Sequence, residues 1–212
     1  TFSKSTVLGM NVYTARITSD GTDRLPGSRT LNPLYATLAA SPGRAAYNAD
    51  GTYAQTAFSR DTQPYKNPIG LFTERENDLL GWRTLGNVSI DYNVLDNLVA
   101  RLNTGFDHST STHSQYQTPE YSMMGSNMDW GNIEESKGSN FLLEGTLNYR
   151  FKLLPDAHSL SLLAGGSIQY DDSYGFSLDG TNFPTSKTSY YNMGSAENQT
   201  ISSYRADQTI IS

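Results

Sequence analysis

Cysteine is absent from the 212 residues and histidine occurs only three times, which argues against a disulfide scaffold, a thiol enzyme and a zinc centre. No apolar run approaches the ~20 residues that a membrane-spanning helix requires. Thr1 opens the chain without a basic and apolar leader, as expected of a mature protein or of an internal fragment. Fifteen Lys and Arg stand against 21 Asp and Glu, for a formal net charge of −6. Phosphate contacts need clustered cations, and none are clustered here, so nucleic acid is not an expected partner. Hydrophobic residues make up 36% of the chain, and the mean hydropathy is −0.52. A large buried core is therefore not expected.

The apolar residues that are present are placed with strict alternation. Successive side chains of a strand point to opposite sides. In 82–94, Trp82, Val88, Ile90, Tyr92 and Val94 share one face, while Arg83, Asn87, Ser89, Asp91 and Asn93 share the other. Leu98, Ala100, Leu102, Thr104 and Phe106 likewise oppose Arg101, Asn103 and Asp107. Phe141, Leu143, Leu147, Tyr149 and Phe151 oppose Glu144, Thr146, Asn148, Arg150 and Lys152. Leu160, Leu162, Ala164, Ile168 and Tyr170 oppose Ser159, Ser161, Gln169 and Asp171. One face suits hydrocarbon and the other water, the pattern of a transmembrane β-barrel wall, which crosses the bilayer with tilted strands of ~9–11 residues.

Strands are expected near 4–16, 82–94, 97–108, 139–152 and 158–172, with a further one beginning near Ile210. Two connections are short: Asp96-Asn97, whose residues tolerate a left-handed backbone, and Leu154-Pro155-Asp156-Ala157-His158. Three are long: 17–81, 108–139 and 172–205. Outer-membrane barrels have short periplasmic turns and long extracellular loops, which orients every strand. The fold class is thus all-β, part of a large antiparallel transmembrane β-barrel. Aromatic residues near the strand ends (Trp82, Tyr92, Tyr149, Phe151, Tyr170) suit the membrane interface. Within the first long loop, Asn32-Pro33 predicts a short helix with Asn32 as N-cap, ended by Ser41-Pro42-Gly43. Asn48-Ala49-Asp50-Gly51 predicts the tip of a small hairpin. A plugged transporter barrel needs 22 strands, and an open sheet in lipid leaves two edges whose unpaired groups each cost several kcal/mol. The chain is accordingly expected to be a piece of a longer one, lacking plug and barrel closure, that does not reach this architecture alone.

The order of elements resembles the middle of the barrel of the SusC/RagA family of TonB-dependent outer-membrane transporters. The resemblance rests on Asn32-Pro33-Leu34, on 47–53 (Tyr-Asn-Ala-Asp-Gly-Thr-Tyr), and on Asn67-Pro68-Ile69. It continues through 85–92 (Leu-Gly-Asn-Val-Ser-Ile-Asp-Tyr), 143–149 (Leu-Glu-Gly-Thr-Leu-Asn-Tyr) and 158–165 (His-Ser-Leu-Ser-Leu-Leu-Ala-Gly). It implies active import of oligosaccharides, peptides or similar large nutrients across the bacterial outer membrane. The implied partners are a SusD-like surface lipoprotein and the TonB, ExbB and ExbD proteins. The family's TonB box, plug and N-terminal extension have no counterpart in these residues.

Candidate cargo contacts lie between Asp107 and Asn140. Tyr116, Tyr121 and Trp130, with Met123, Met124 and Met128, stand among Ser, Gln and Asn, and flat rings beside amides and hydroxyls suit sugar or peptide. Packing of these rings within the loops is the structural alternative. Asn48-Ala49-Asp50-Gly51 begins like a calcium loop, but the bidentate Glu is missing near Ala57. His108 and His113 have no third ligand, and Asp171-Asp172 and Glu134-Glu135 are read as solvated carboxylates. Asn87-Val88-Ser89 and Asn198-Gln199-Thr200 match the glycosylation pattern only as chance tripeptides. The lumen-facing charges Arg83, Asp91, Arg101, Glu144, Arg150 and Lys152 are expected to form ladders between strands. No nucleophile, base and orienting group can be assembled, so no catalytic residue, cofactor or metal is expected. Two other readings compete: a water-soluble β-sandwich that binds glycans or serves adhesion, and a passive porin.

Overall fold

The computed structural model describes residues 5–21, 32–40, 42–54, 66–122, 128–154 and 158–212, the side chains of 152–154 excepted. Ser41, Ala57, Met123, Met124 and residues 155–157 of the second short turn lie outside the described residues. Six strands run as β1 (Thr6–Asp20), β2 (Arg75–Leu95), β3 (Leu98–Gln117), β4 (Trp130–Leu154), β5 (His158–Thr181) and β6 (Asn198–Ile211). They form one sheet in sequence order, each antiparallel to the next. This is the all-β, hairpin-built architecture that the alternation predicts.

Register confirms the faces. Ile90 pairs with Leu102, Leu102 with Gly145, and Gly145 with Gly166, so the apolar residues of neighbouring strands fall on one side. Leu102, Leu147 and Leu162 are 45%, 51% and 52% exposed, so nothing within the described chain covers that side. Large and small residues adjoin along each row: the Phe106 ring lies over Gly86, where a Cβ would come within 2.8 Å of it. Phe141 to Phe151, and Leu160 to Tyr170, each cover eleven residues, ten steps of about 33 Å in all along a strand. Tilted as barrel strands are, that leaves an apolar band about 25 Å tall, the height found in outer-membrane barrels. Leu85, Val99 and Leu163 break the alternation by standing on the polar side.

The strands run well past the alternating segments. β3 continues to Gln117 rather than to 108, β4 begins at Trp130 rather than at 139, and β5 reaches Thr181 rather than 172. β6 begins at Asn198, not near Ile210. The expected loops 108–139 and 172–205 therefore shrink to 118–129 and 182–197, and 17–81 shrinks to 21–74. Above the apolar band both faces meet water, so Ser, Thr, Asn and Gln occupy both and the period of two fades while pairing persists.

At the other end, Leu95 pairs with Leu98 across Asp96-Asn97, and the register shifts between Asn93 and Leu95. The Asp96-Asn97 turn reverses the chain with φ negative at both residues; among the described non-glycine residues positive φ occurs at Asn182 and Ser189. In the first long loop, α1 (Pro33–Ala39) starts as predicted, with the Asn32 side chain accepting from the Tyr35 N–H. A second helix, α2 (Pro68–Thr73), repeats the device, Asn67 accepting from Ile69 N–H ahead of Pro68. Between them Tyr47 bridges Tyr53 around the predicted turn, and Asp50 accepts from the Thr52 N–H and hydroxyl at 3.0 and 2.6 Å. That is an Asx turn, which makes Asp50 part of the hairpin tip.

Candidate functional site: the outer ends of the strands

On the polar face, side chains directly or diagonally opposite one another bond across the strands. Arg101 grips Asp91 with Nε and Nη2 at 2.6 and 2.8 Å. Arg83 grips Asp107 in the same way at 3.0 and 2.6 Å. Asn103 donates to Glu144, Asn140 to Asp171, and Asn132 to Asp179 and Ser177. The expected ladder is therefore present for Arg83, Asp91, Arg101 and Glu144. These rungs fix long side chains flat against the wall. Higher on the same face, His113 and Gln115 both donate to the Asn77 carbonyl oxygen, at 2.5 and 3.0 Å.

Among the described residues, the buried core sits at the outer end, in two clusters. One joins Tyr116 to Phe183, Met193 and Ala196, flanked by Ile133, Leu178 and Tyr190. By register, Tyr116, Ile133 and Leu178 continue the apolar side of the sheet upward. The strap 182–197 thus lies on the outside of the wall. Met193 and Phe183 rest over Gly131 and Gly180, where added Cβ atoms would meet them at 3.0–3.1 Å. Asp129, 3% exposed, holds the strap to the preceding connection. It accepts from the Tyr116 hydroxyl at 2.9 Å and from the Phe183 N–H at 2.9 Å. At the far end of the strap the Tyr190 hydroxyl donates to Asp78 of β2 at 2.6 Å. Burial pushes the Tyr116 phenol up to about 12, with the Asp129 carboxylate adding to the effect and a Ser186 hydrogen bond opposing it.

The second cluster encloses Tyr121 between Ala36 of α1 and Leu71 of α2, with Tyr53 edge-on at 5.7 Å. The Tyr121 hydroxyl lies where a Cβ on residue 70 would be, so Gly70 is the residue that lets α2 approach. Lys66 places its Nζ 5.6 Å from the centre of the Tyr121 ring.

Of the three predicted cargo rings, Tyr116 is 2% and Tyr121 0% exposed, packed in separate clusters. Tyr116 was expected in a loop and stands in β3, on the side away from the polar face; Tyr121 belongs to a 3-10 turn, Pro119–Tyr121. Trp130 opens β4, half-buried and on the polar side with Gln117 and Thr181. The structure does not bring the three together. Sequence reading missed Asp129 and the strap. An isolated Asp before a Trp carries no signal of its own, and a segment as polar as 182–197 gives no hint of which face it will cover.

Among known proteins, the chain is 27% identical over 210 residues to TonB-dependent receptor P3 of Formosa agariphila, covering 97% of this chain and 20% of that one. No family model matches it. Its backbone superposes on the RagAB peptide transporter with a TM-score of 0.75 at 12% identity, over 100% of this chain and 24% of that one. The RagAB peptide importer in its 'open-open' state gives 0.72 at 13% identity, over 99% and 23%. The chain thus spans about a fifth of the length of its curated relative. In fold the chain matches about a quarter of the RagAB transporter, and in sequence it is similar to a TonB-dependent receptor. Both likenesses agree with the resemblance to the SusC/RagA type that the sequence motifs carry.

Proposed function

We propose that this chain is part of an outer-membrane importer of large nutrients, energised through TonB, ExbB and ExbD and working with a SusD-like surface lipoprotein. The observation that carries the reading is the division of one sheet into an exposed apolar band of bilayer height and a polar face laddered by ion pairs and amides. A soluble β-sandwich would bury its apolar face against a second sheet; among the described residues there is one sheet, and that face is open. The outer membrane is the bilayer in which such a section would sit.

The cargo is an oligosaccharide or peptide. Trp130, half-buried beside Thr181 on the polar side, presents its ring to the lumen, with the buried Gln117 and Asn132 packed next to it. Tyr116 and Tyr121 act at one remove, by holding the connections that frame it. The ladder charges serve the wall.

The test is uptake by cells carrying the complete protein, with a labelled oligosaccharide and a labelled peptide as probes. Accumulation of one of them should vanish on deletion of the gene and on collapse of the proton gradient. Uptake that survives the uncoupler would mean a passive pore, and a protein recovered in the water-soluble fraction would restore the sandwich.

A further inference from the structure

A cleft of about 620 Å³ opens on the outside of the wall, beside Tyr190 of the strap and above the apolar band. Three rows of paired residues build it. Of the lowest row, Arg16, Trp82 and Thr110, Arg16 lines the cleft. The middle row is Thr18, Leu80 and Thr112, and the uppermost is Asp20, Asp78 and Ser114. The Arg16 guanidinium lies 5.7 Å from the centre of the Trp82 ring. Tyr190 closes one wall by its hydrogen bond to Asp78 and stacks on Tyr191, which is 79% exposed.

Carboxylates beside hydroxyls, Leu80 as an apolar floor and Tyr190 as an aromatic wall form a set that holds a pyranose: its hydroxyls donate to the acids and its C–H face rests on Leu80 or the ring. The volume is that of a small-molecule site. Its position settles which sugar can enter. The cleft faces away from the lumen, and its lowest row, at Arg16 and Trp82, stands two rows above the Val12–Gly86–Phe106 row of the apolar band.

We infer that this exterior cleft binds the saccharide head of an outer-leaflet glycolipid, with Asp78, Thr112 and Tyr190 on the sugar and Arg16 toward the anionic groups near the lipid. The inference rests on the barrel reading above. A ligand there would tie the outside of β1 to β3 and the strap to the leaflet, separately from any cargo inside.

The experiment places a photo-crosslinking amino acid at Thr18 of the complete protein, in cells whose outer leaflet carries rough-type lipopolysaccharide. Irradiation should give a lipopolysaccharide adduct that falls at least tenfold with Thr112→Trp, which fills the cleft, and with Asp78→Asn, which weakens an acceptor while still bonding Tyr190. Excess delipidated core oligosaccharide should leave the adduct unchanged. An adduct equally strong in either variant overturns the inference, and displacement by the free oligosaccharide assigns the cleft to a soluble glycan instead. Each variant is also checked for outer-membrane recovery and heat-modifiable mobility. Failure of the unsubstituted protein there would count against the barrel itself, whereas normal insertion without an adduct counts against this site alone.

Discussion

The lower and upper halves of this sheet share strands, register and hydrogen bonding, yet their side chains obey different rules. Below the line Phe106, Phe141, Tyr170, the side facing outward is apolar and bare. Above it, the same side carries Lys137, Glu135 and the Arg205–Asp172 pair at 3.0 Å, or is covered by the strap. Strand pairing runs through the boundary without a bulge in β3 or β4. The backbone is therefore indifferent to the change of solvent, and the solvent is written wholly in one set of alternate side chains.

Arginine on each side of the lower sheet should expose that contrast most. In the complete protein, Leu102→Arg places a charge near the middle of the band and should cost about 2–4 kcal/mol, read as lost heat-modifiable barrel. Asn103→Arg, one residue away on the polar face, should assemble normally. Equal losses would mean that the faces are wrongly assigned.

In the upper half the large effects should come from buried polar groups. Asp129→Ala leaves the Tyr116 hydroxyl and the Phe183 N–H without an acceptor, at about 1–3 kcal/mol. Limited proteolysis should then cut the strap while the barrel band is unaffected. Asn67→Ala, which removes a cap, should loosen α2 by about 1 kcal/mol, and the Tyr121 cluster should exchange its amides faster.

The pH dependence separates the halves again. The ordinary tyrosine pKa is about 10, and folding raises that of Tyr116 to about 12. The folded form thus favours the neutral phenol, so stability is kept below pH 10 and lost as pH climbs toward 12. Strap cleavage should rise over that window while the barrel band persists. A phenolate absorbance titration without a late-ionising tyrosine would contradict the burial. The smallest effect is expected from Arg205→Ala: an exposed pair on the outer side, screened by water and salt, should leave the unfolding midpoint unmoved.

Legibility in the sequence follows the same division. Where lipid and water pull on alternate residues, the faces of 82–94, 98–106, 141–151 and 160–170 could be read directly. The Asn-Pro signal likewise located α1, and read at Asn67-Pro68 it would have located α2. Where water bathes both sides the period disappears: Ser109-Thr110-Ser111-Thr112 is a strand with nothing to distinguish its faces, so the extent of β3, β4 and β5 and nearly all of β6 were invisible. Tyr116 misled for a related reason. An aromatic residue in a polar stretch suggests a ligand, whereas here it is the point at which a distant strap, Phe183 and Met193, is pinned. Contacts between residues 50 or more apart leave no trace in local pattern.

The Asp129 clasp also sets an order of events. Its two donors come from β3 and from Phe183, two residues past β5, so it cannot close until both hairpins have delivered their outer ends across the bilayer. Until then the carboxylate travels hydrated. Its desolvation is postponed to the far side, and closure serves as a record that the crossing is finished.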